Sequence, residues 1–133
     1  LCADLGFSHK DRTENIRRVG EVAALFARAG VIVVTAFISP YREDRRRARA
    51  AAPEFFHTVH VKADVDTCEK RDVKGLYRKA RKGEIKDFTG ISAPYEAPEN
   101  PELVVDTKLH NVDECIRQLL GYVELEFCVK TDG

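Results

Sequence analysis

Residues 31–63 read VIVVTAFISPYREDRRRARAAAPEFFHTVHVKA, and the fold class hangs on them. Val31–Phe37 is apolar and rich in β-branched residues with little alternation, which predicts a strand buried on both faces. After Ile38-Ser39-Pro40 the pattern changes. The run YREDRRRARAAA predicts a helix, with Pro40 near its start and Pro53 beyond its end. FFHTVHVKA, residues 55–63, predicts the next strand. A strand, a helix and a strand in succession predict parallel pairing through a crossover.

The flanking sequence extends this pattern. GFSHKDRTENIRRVGEVAALFARAG, residues 6–30, predicts a loop and then a helix. Ser8 and Asp11 resemble a capping box, with aspartate in place of the usual glutamate. Ile16, Val19, Val22, Ala23 and Phe26 share one helical stripe, and Gly30 is a natural stop. Residues 65–83 predict two short helices broken near Asp72–Lys74. Residues 84–101, with Gly90, Pro94, Pro98 and Pro101, predict a long ordered loop. ELVVDT (102–107) predicts a short strand, NVDECIRQLLGYV (111–123) a closing helix capped by Asn111, and residues 122–133 a tail or linker. The fold class expected is α/β, a parallel sheet with helices on both faces. Ligands of such folds sit beyond the carboxyl ends of the strands, here residues 38–41, 63–66 and 107–110.

Composition narrows the function. The chain has 133 residues, with 22 basic and 22 acidic side chains. That balance argues against a dedicated nucleic-acid or membrane-surface protein. The longest apolar run, Val31–Ile38, is far short of the ~20 residues a bilayer span needs. Cys2, Cys68, Cys115 and Cys128 form no C-x-x-C pair, so free thiols in a reducing, cytoplasmic setting are expected. His9, His57, His60 and His110 do not cluster with them, and no metal site is expected from these residues.

Three stretches carry the chemistry. In the first, Arg12, Asn15 and Arg18 share one side of the predicted helix, just after Phe7. Arginine suits phosphate or sulfate oxygens, and an aromatic ring can stack on a base. In the second, Arg42, Arg45, Arg46, Arg47 and Arg49 follow the strand end at Ile38 and Ser39. They suit either the mouth of a site for an anionic substrate or a solvated helix with Glu43 and Asp44 offsetting the charge. Ser39 has no histidine–acid pair beside it, so a serine-hydrolase reading lacks support. In the third, five lysines and three arginines crowd residues 70–86, followed by Phe88. A basic segment of this kind can close over phosphates or simply be a solvated helix pair. No G-x-x-x-x-G-K-[ST] and no G-x-G-x-x-G occurs in the chain.

Together the three stretches resemble adenylylsulfate kinase (APS kinase). Family members carry runs of the form DLGFS..DR.ENIRR, FISPYR.DR and RD.KGLY.KAR.G.IK.FTGI..PYE.P.NPE. This chain carries DLGFSHKDRTENIRR (4–18), FISPYREDR (37–45) and RDVKGLYRKARKGEIKDFTGISAPYEAPENPE (71–102), in that order. The resemblance covers about residues 1–121. It implies a P-loop kinase fold, magnesium, and transfer of the γ-phosphate of ATP to the 3′-hydroxyl of adenylylsulfate. Position by position, it implies that Phe7 and Phe88 sandwich the substrate adenine. Arg12 and Asn15 contact substrate, Ile38 and Ser39 form the strand-end pair beside it, and Lys74 begins a lid over residues 75–86. Leu109 and His110 fall against the adenine of ATP. The family's counterpart of Ser39 is described as a phosphoserine intermediate. Direct in-line transfer needs none, so Ser39 is expected to position substrate.

Family members also have a first strand, a P-loop and a DGDN.R segment ahead of the residues matched here. The chain begins at Leu1 and contains no methionine. It is therefore expected to be the later part of a longer protein, inactive by itself and with an apolar edge exposed. A homodimer in the complete protein and a fused ATP sulfurylase domain are the partners the resemblance implies. The alternative is a non-catalytic short form that binds adenylylsulfate or pairs with a complete subunit.

Overall fold

The computed structural model describes residues 1–6 and 8–127. They form two compact units, one of Leu1–Phe56 with Leu76–Pro98, the other of His57–Gly75 with the chain from Glu99 onward. The elements alternate as an α/β chain, and the two strands among the described residues pair in parallel as expected.

In the first unit, α1 spans His9–Arg28. Ser8 sits at its start in extended backbone, and its Oγ accepts from Asp11 N at 3.1 Å. The same hydroxyl donates to Asp11 Oδ2 at 2.8 Å, so Ser8 caps the helix as expected, but Asp11 meets its hydroxyl and not its backbone N–H, and the reciprocal half of the expected capping box does not form. Gly30, at φ 81°, turns the chain away after the helix. α2 spans Arg42–Ala51, between a buried Pro40 and Pro53. Glu43 and Asp44 in its first turn complement the helix dipole.

The two helices pack through small residues. A Cβ on Gly20 would lie 3.3 Å from Ala48 Cα, so the backbones are nearly as close as they can be. Ile16 and Ala24 are buried on the same stripe. The expected stripe, which ran to Phe26, is rotated: Phe26 is exposed. Close approach at Gly20 decides the contact, with Ile16 and Ala24 buried beside it and Phe26 turned aside. Asp44 is 4% exposed and accepts from Thr13 Oγ1 at 3.1 Å. α4, Leu76–Arg81, buries Ala80 and leads into the loop that ends this unit. As expected, that loop has no helix; its one bridge joins Thr89 and Ala93.

The strand expected at 31–37 is the main correction. Val31–Ile38 is irregular, and Val34 and Ile38 are 79% and 70% exposed. β-structure exists only by pairing, and among the described residues nothing pairs with this run.

In the second unit, β1 (Val59–Lys62) and β2 (Leu103–Asp106) form a two-stranded parallel ladder. The strand expected from residue 55 starts later, because pairing begins where Leu103 N donates to Thr58 O at 3.3 Å. α3 spans Val65–Lys70, capped by Asp64, which accepts from Thr67 N at 2.7 Å. The expected break after it leads to α4 at Leu76. α5 spans Val112–Glu126 and begins with a complete Asn111/Glu114 capping box. It runs to Glu126, three residues past the expected end, since Glu124, Leu125 and Glu126 are all good helix formers. Cys2, Cys68 and Cys115 are free thiols, while Cys128 lies outside the described residues.

Candidate functional site

The first unit gathers most of the expected site. Phe7 lies outside the described residues. Arg12 and Asn15 sit half-buried on α1. Arg12 Nη1 donates to Asp87 O at 3.3 Å, which ties the first sequence stretch to the residue before Phe88. Phe88 is held from several sides. Its N–H donates to Ser92 Oγ at 2.9 Å, and its carbonyl accepts from Ser92 N and Ala93 N, both at 3.0 Å. Gly90, at φ 85°, makes this tight loop possible. The Tyr77 and Phe88 rings meet edge-on with centroids 4.9 Å apart, which fixes Phe88 against the start of α4.

Ile38 is exposed and Ser39 half-buried. Ser39 has φ 34°, a left-handed backbone unusual for a residue with a side chain. Its neighbour Tyr41 lies against His9 at the start of α1, with ring centroids 4.4 Å apart. The turn and the start of α1 are thus packed together.

The solvated-helix reading of the arginines at 42–49 holds in part: Arg46 and Arg47 are exposed and Glu43 offsets their charge. The other three are bound to further parts of the protein. Arg42 Nε donates to Ala97 O at 3.0 Å, and Arg45 to the carbonyls of Ser39 and Glu96, both at 2.5 Å. Arg46 and Arg47 both pair with Glu43 at 2.9 Å. Arg49 lies over the Phe56 ring, 5.0 Å from its centre. Arg18, expected beside Arg12 and Asn15, is likewise engaged, with Asp4 at 2.6 Å and Glu14 at 2.9 Å.

A groove of about 520 Å³ opens between the starts of α1 and α2, walled by His9, Thr13, Tyr41, Asp44 and Glu96. Glu14 and Glu43 also face it. Lys10 and Arg47 line it as well, and none of Arg12, Asn15, Ile38, Ser39, Lys74, Phe88 and His110 does.

In the second unit, the carboxyl ends of β1 and β2 carry a polar cluster. Lys62 pairs with Asp106 at 2.9 Å, and Lys108 with Asp64 at 2.5 Å. The Lys108 ammonium, with help from Thr67, holds the Asp64 carboxyl well below the usual aspartate range. Lys62 lowers Asp106 in the same direction. Arg71 donates to Thr107 Oγ1 at 3.0 Å and to its carbonyl at 2.6 Å. These contacts brace the turn 107–110. His110 is exposed there, with Nδ1 3.6 Å from Glu114 Oε2. Leu109 is exposed beside it, and Lys74 is exposed after α3. Among the described residues no group of three or more His, Cys, Asp or Glu side chains is arranged to hold a metal ion. Nor is any helix among them long and apolar enough to cross a membrane.

The sequence profile of the adenylylsulphate kinase family matches residues 1–106. The chain belongs to the adenylylsulfate kinase family. It is 60% identical over 122 residues to the adenylyl-sulfate kinase of Prochlorococcus marinus, covering 91% of this chain and 61% of that protein. It is 62% identical over 125 residues to the adenylyl-sulfate kinase of Bacillus licheniformis, covering 93% and 64%. The chain thus spans about three-fifths of the length of these curated relatives. Among solved structures it is similar to the Mycobacterium tuberculosis APS kinase in complex with AMPPNP and APS. That likeness has a TM-score of 0.82 and 44% identity, over 92% of this chain and 72% of the other. The hexameric APS kinase from Thiobacillus denitrificans is more distant, with a TM-score of 0.68 at 31% identity over 98% of this chain and 21% of the other. The fold is therefore that of APS kinases, a P-loop kinase fold.

Glu96, Tyr77 and Ser92 pack around the candidate site and were not singled out from sequence; Arg45 was named only as one of five arginines. Within the family runs they stand beside the expected contacts, but only coordinates reveal which carbonyl each guanidinium meets.

Proposed function

We propose that the protein transfers the γ-phosphate of ATP to the 3′-hydroxyl of adenylylsulfate, giving 3′-phosphoadenylylsulfate. The observation that carries this reading is the Arg12–Asp87 contact. It joins two of the three family runs and brings the arginine suited to a phosphosulfate next to the loop that presents Phe88. Phe88 then stacks on the adenine of adenylylsulfate, with Phe7 as the second ring. Arg12 and Asn15 bind the charged and polar groups of the substrate. Ile38 and Ser39 line it at the turn before α2, with Ser39 orienting rather than accepting phosphate.

In the reaction the bond from the γ-phosphorus to the bridging oxygen of ADP breaks, and a bond to the 3′-oxygen forms in line. Positioning and charge neutralisation carry such a transfer. The residues named here bind and orient; none of them is assigned as the base. Lys74 and residues 75–86 supply mobile positive charge, and His110 and Leu109 contact ATP. Magnesium is implied by the family; none of the described residues is assigned to hold it, and no step is routed through it. The homodimer, the fused ATP sulfurylase domain and the cytoplasmic location expected from the resemblance belong to this proposal as well.

The test is ATP-dependent formation of 3′-phosphoadenylylsulfate by the whole protein, with calorimetric binding of adenylylsulfate alongside. Phe88→Ala is expected to weaken adenylylsulfate binding by about five- to hundredfold, the value of one lost stacking platform. Neither binding nor turnover in the parent would refute the reading. Binding without turnover would favour a non-catalytic binding form.

A further inference from the structure

Among the described residues, two other than glycine adopt left-handed backbone, Ser39 at φ 34° and Asp87 at φ 53°. Such a conformation is disfavoured for an L side chain, so the surroundings must hold it. In both cases an arginine takes the carbonyl oxygen of the disfavoured residue. Arg12 does so for Asp87 at 3.3 Å, and Arg45 Nη1 for Ser39 at 2.5 Å.

Arg45 does more. Its Nη2 donates to Glu96 O at 2.5 Å, so one guanidinium spans two carbonyls more than fifty residues apart in sequence. Glu96 completes the link. Its N–H donates to Pro40 O at 2.8 Å, and its carboxylate accepts from Arg42 N at 2.7 Å. Pro40 is buried and Arg45 half-buried, so the clasp is largely sheltered from water. A planar fork with fixed donors can hold two carbonyls in one geometry; a single ammonium cannot.

We propose that Arg45 is a positioning residue for the substrate: it fixes Ser39 in its left-handed form and thereby sets where Ile38 and Ser39 stand. The inference rests on the reading that these two residues line the adenylylsulfate site. Arg45 does not touch the substrate. It acts through the backbone of the turn and through the loop at Glu96.

The experiment compares Arg45→Ala, Arg45→Lys, Ser39→Ala and Arg46→Ala in the whole protein. Arg46 pairs only with Glu43 and serves as the matched control. Steady-state kinetics are measured for both substrates, with hydrogen exchange followed at residues 38–42 and 95–98. Arg45→Ala is expected to raise exchange in both segments and to lower kcat/KM for adenylylsulfate by about ten- to hundredfold, the cost of a misplaced contact. The KM for ATP should stay within about twofold, since uniform binding of that substrate is untouched. Arg45→Lys should recover part of the loss, and Arg46→Ala should match the parent.

Unchanged exchange in Arg45→Ala overturns the clasp. Parallel loss toward both substrates, in step with a lower Tm, overturns positioning in favour of a purely structural role. Raised exchange with normal adenylylsulfate kinetics also overturns it, and Ser39→Ala then says where the fault lies. If Ser39→Ala is impaired, only the role of Arg45 falls. If it too is silent, the placement of substrate at the turn falls with it. Should Arg45→Ala fail to fold, Arg45→Lys carries the same comparison.

Discussion

In residues 42–49 each arginine is engaged with another part of the chain: with carbonyls at Ser39, Glu96 and Ala97, with Glu43, or with the Phe56 ring. In residues 70–86 the lysines at 70, 74, 79, 82 and 86 are all exposed, and among the described residues their ammonium groups meet no carboxylate. Both runs are basic, but the cations of the first are all arginines while the second adds five lysines to three arginines. A guanidinium is planar and weakly hydrated, so it can be built into the protein as a brace. An ammonium on a flexible stem stays hydrated and available. Positive charge in the first run holds the chain together; in the second, Arg71 is bound to Thr107 while the five lysines stay exposed, placed to meet an anion.

The sharpest way to break this comparison is to attack the scaffold of the first run. Asp44 lies in the same turn as the arginines, buried, with Thr13 as its partner. Asp44→Ala is expected to destabilise the protein by about 1–3 kcal/mol, since a buried hydrogen bond is lost and a hydroxyl left unmatched. Asp44→Asn keeps an acceptor and should cost less. Urea denaturation measures both. An unchanged midpoint in Asp44→Ala would mean that α2 is not a structural brace.

The second run should respond in the opposite manner. Replacing Lys79, Lys82 and Lys86 together by glutamine is expected to leave stability within about 0.5 kcal/mol, as for other exposed sites. The KM for the nucleotide substrates should rise severalfold at low salt, with the gap closing as salt screens the field. A large loss of stability with unaltered KM would reverse the assignment of the two runs.

Much of this was legible in the chain. The helices around α1, α3, α4 and α5 follow from apolar spacing and from caps at Ser8 and Asn111. The break near Asp72–Lys74 follows from the short helical patterns on either side. The run VIVVTAF was misleading for a physical reason: its composition states a preference for β-structure, but a strand also needs a neighbour. The stripe on α1 was misjudged because Gly20 counts for little in hydrophobicity and for much in close packing. The contacts expected at Arg12, Ser39 and Phe88 came from family runs, and spacing alone did not separate a site from a solvated helix. The clasp of Arg45 was not legible at all, because two of its hydrogen bonds end on backbone carbonyls, which every residue has.

Acid provides the gentlest test, because it acts on the partners of the arginines and not on the lysines. The Arg17 guanidinium, and after it Arg18, holds Glu14 down from the ordinary 4.5 to about 2. Arg18 lowers Asp4 in the same direction, and Arg46 followed by Arg47 lowers Glu43. Each carboxylate thus binds its proton more readily in the unfolded chain than in the folded one. Its contribution is present in full above the ordinary carboxylate range and is lost as pH falls through it; for Glu14 the window runs from 4.5 down to about 2. These groups are open to solvent, so the effect is small and salt weakens it further. Thermal midpoints measured between about pH 5 and pH 3 should decline gently, and less so in high salt. Arg18→Gln should flatten the decline, since Asp4 loses its chief partner and Glu14 its second. The glutamine variant of Lys79, Lys82 and Lys86 should keep the parent's slope, because no lowered carboxylate depends on those lysines. A parent slope that survives Arg18→Gln and vanishes with the lysines would place the working ion pairs in residues 70–86, and the contrast between the two basic runs would have to be abandoned.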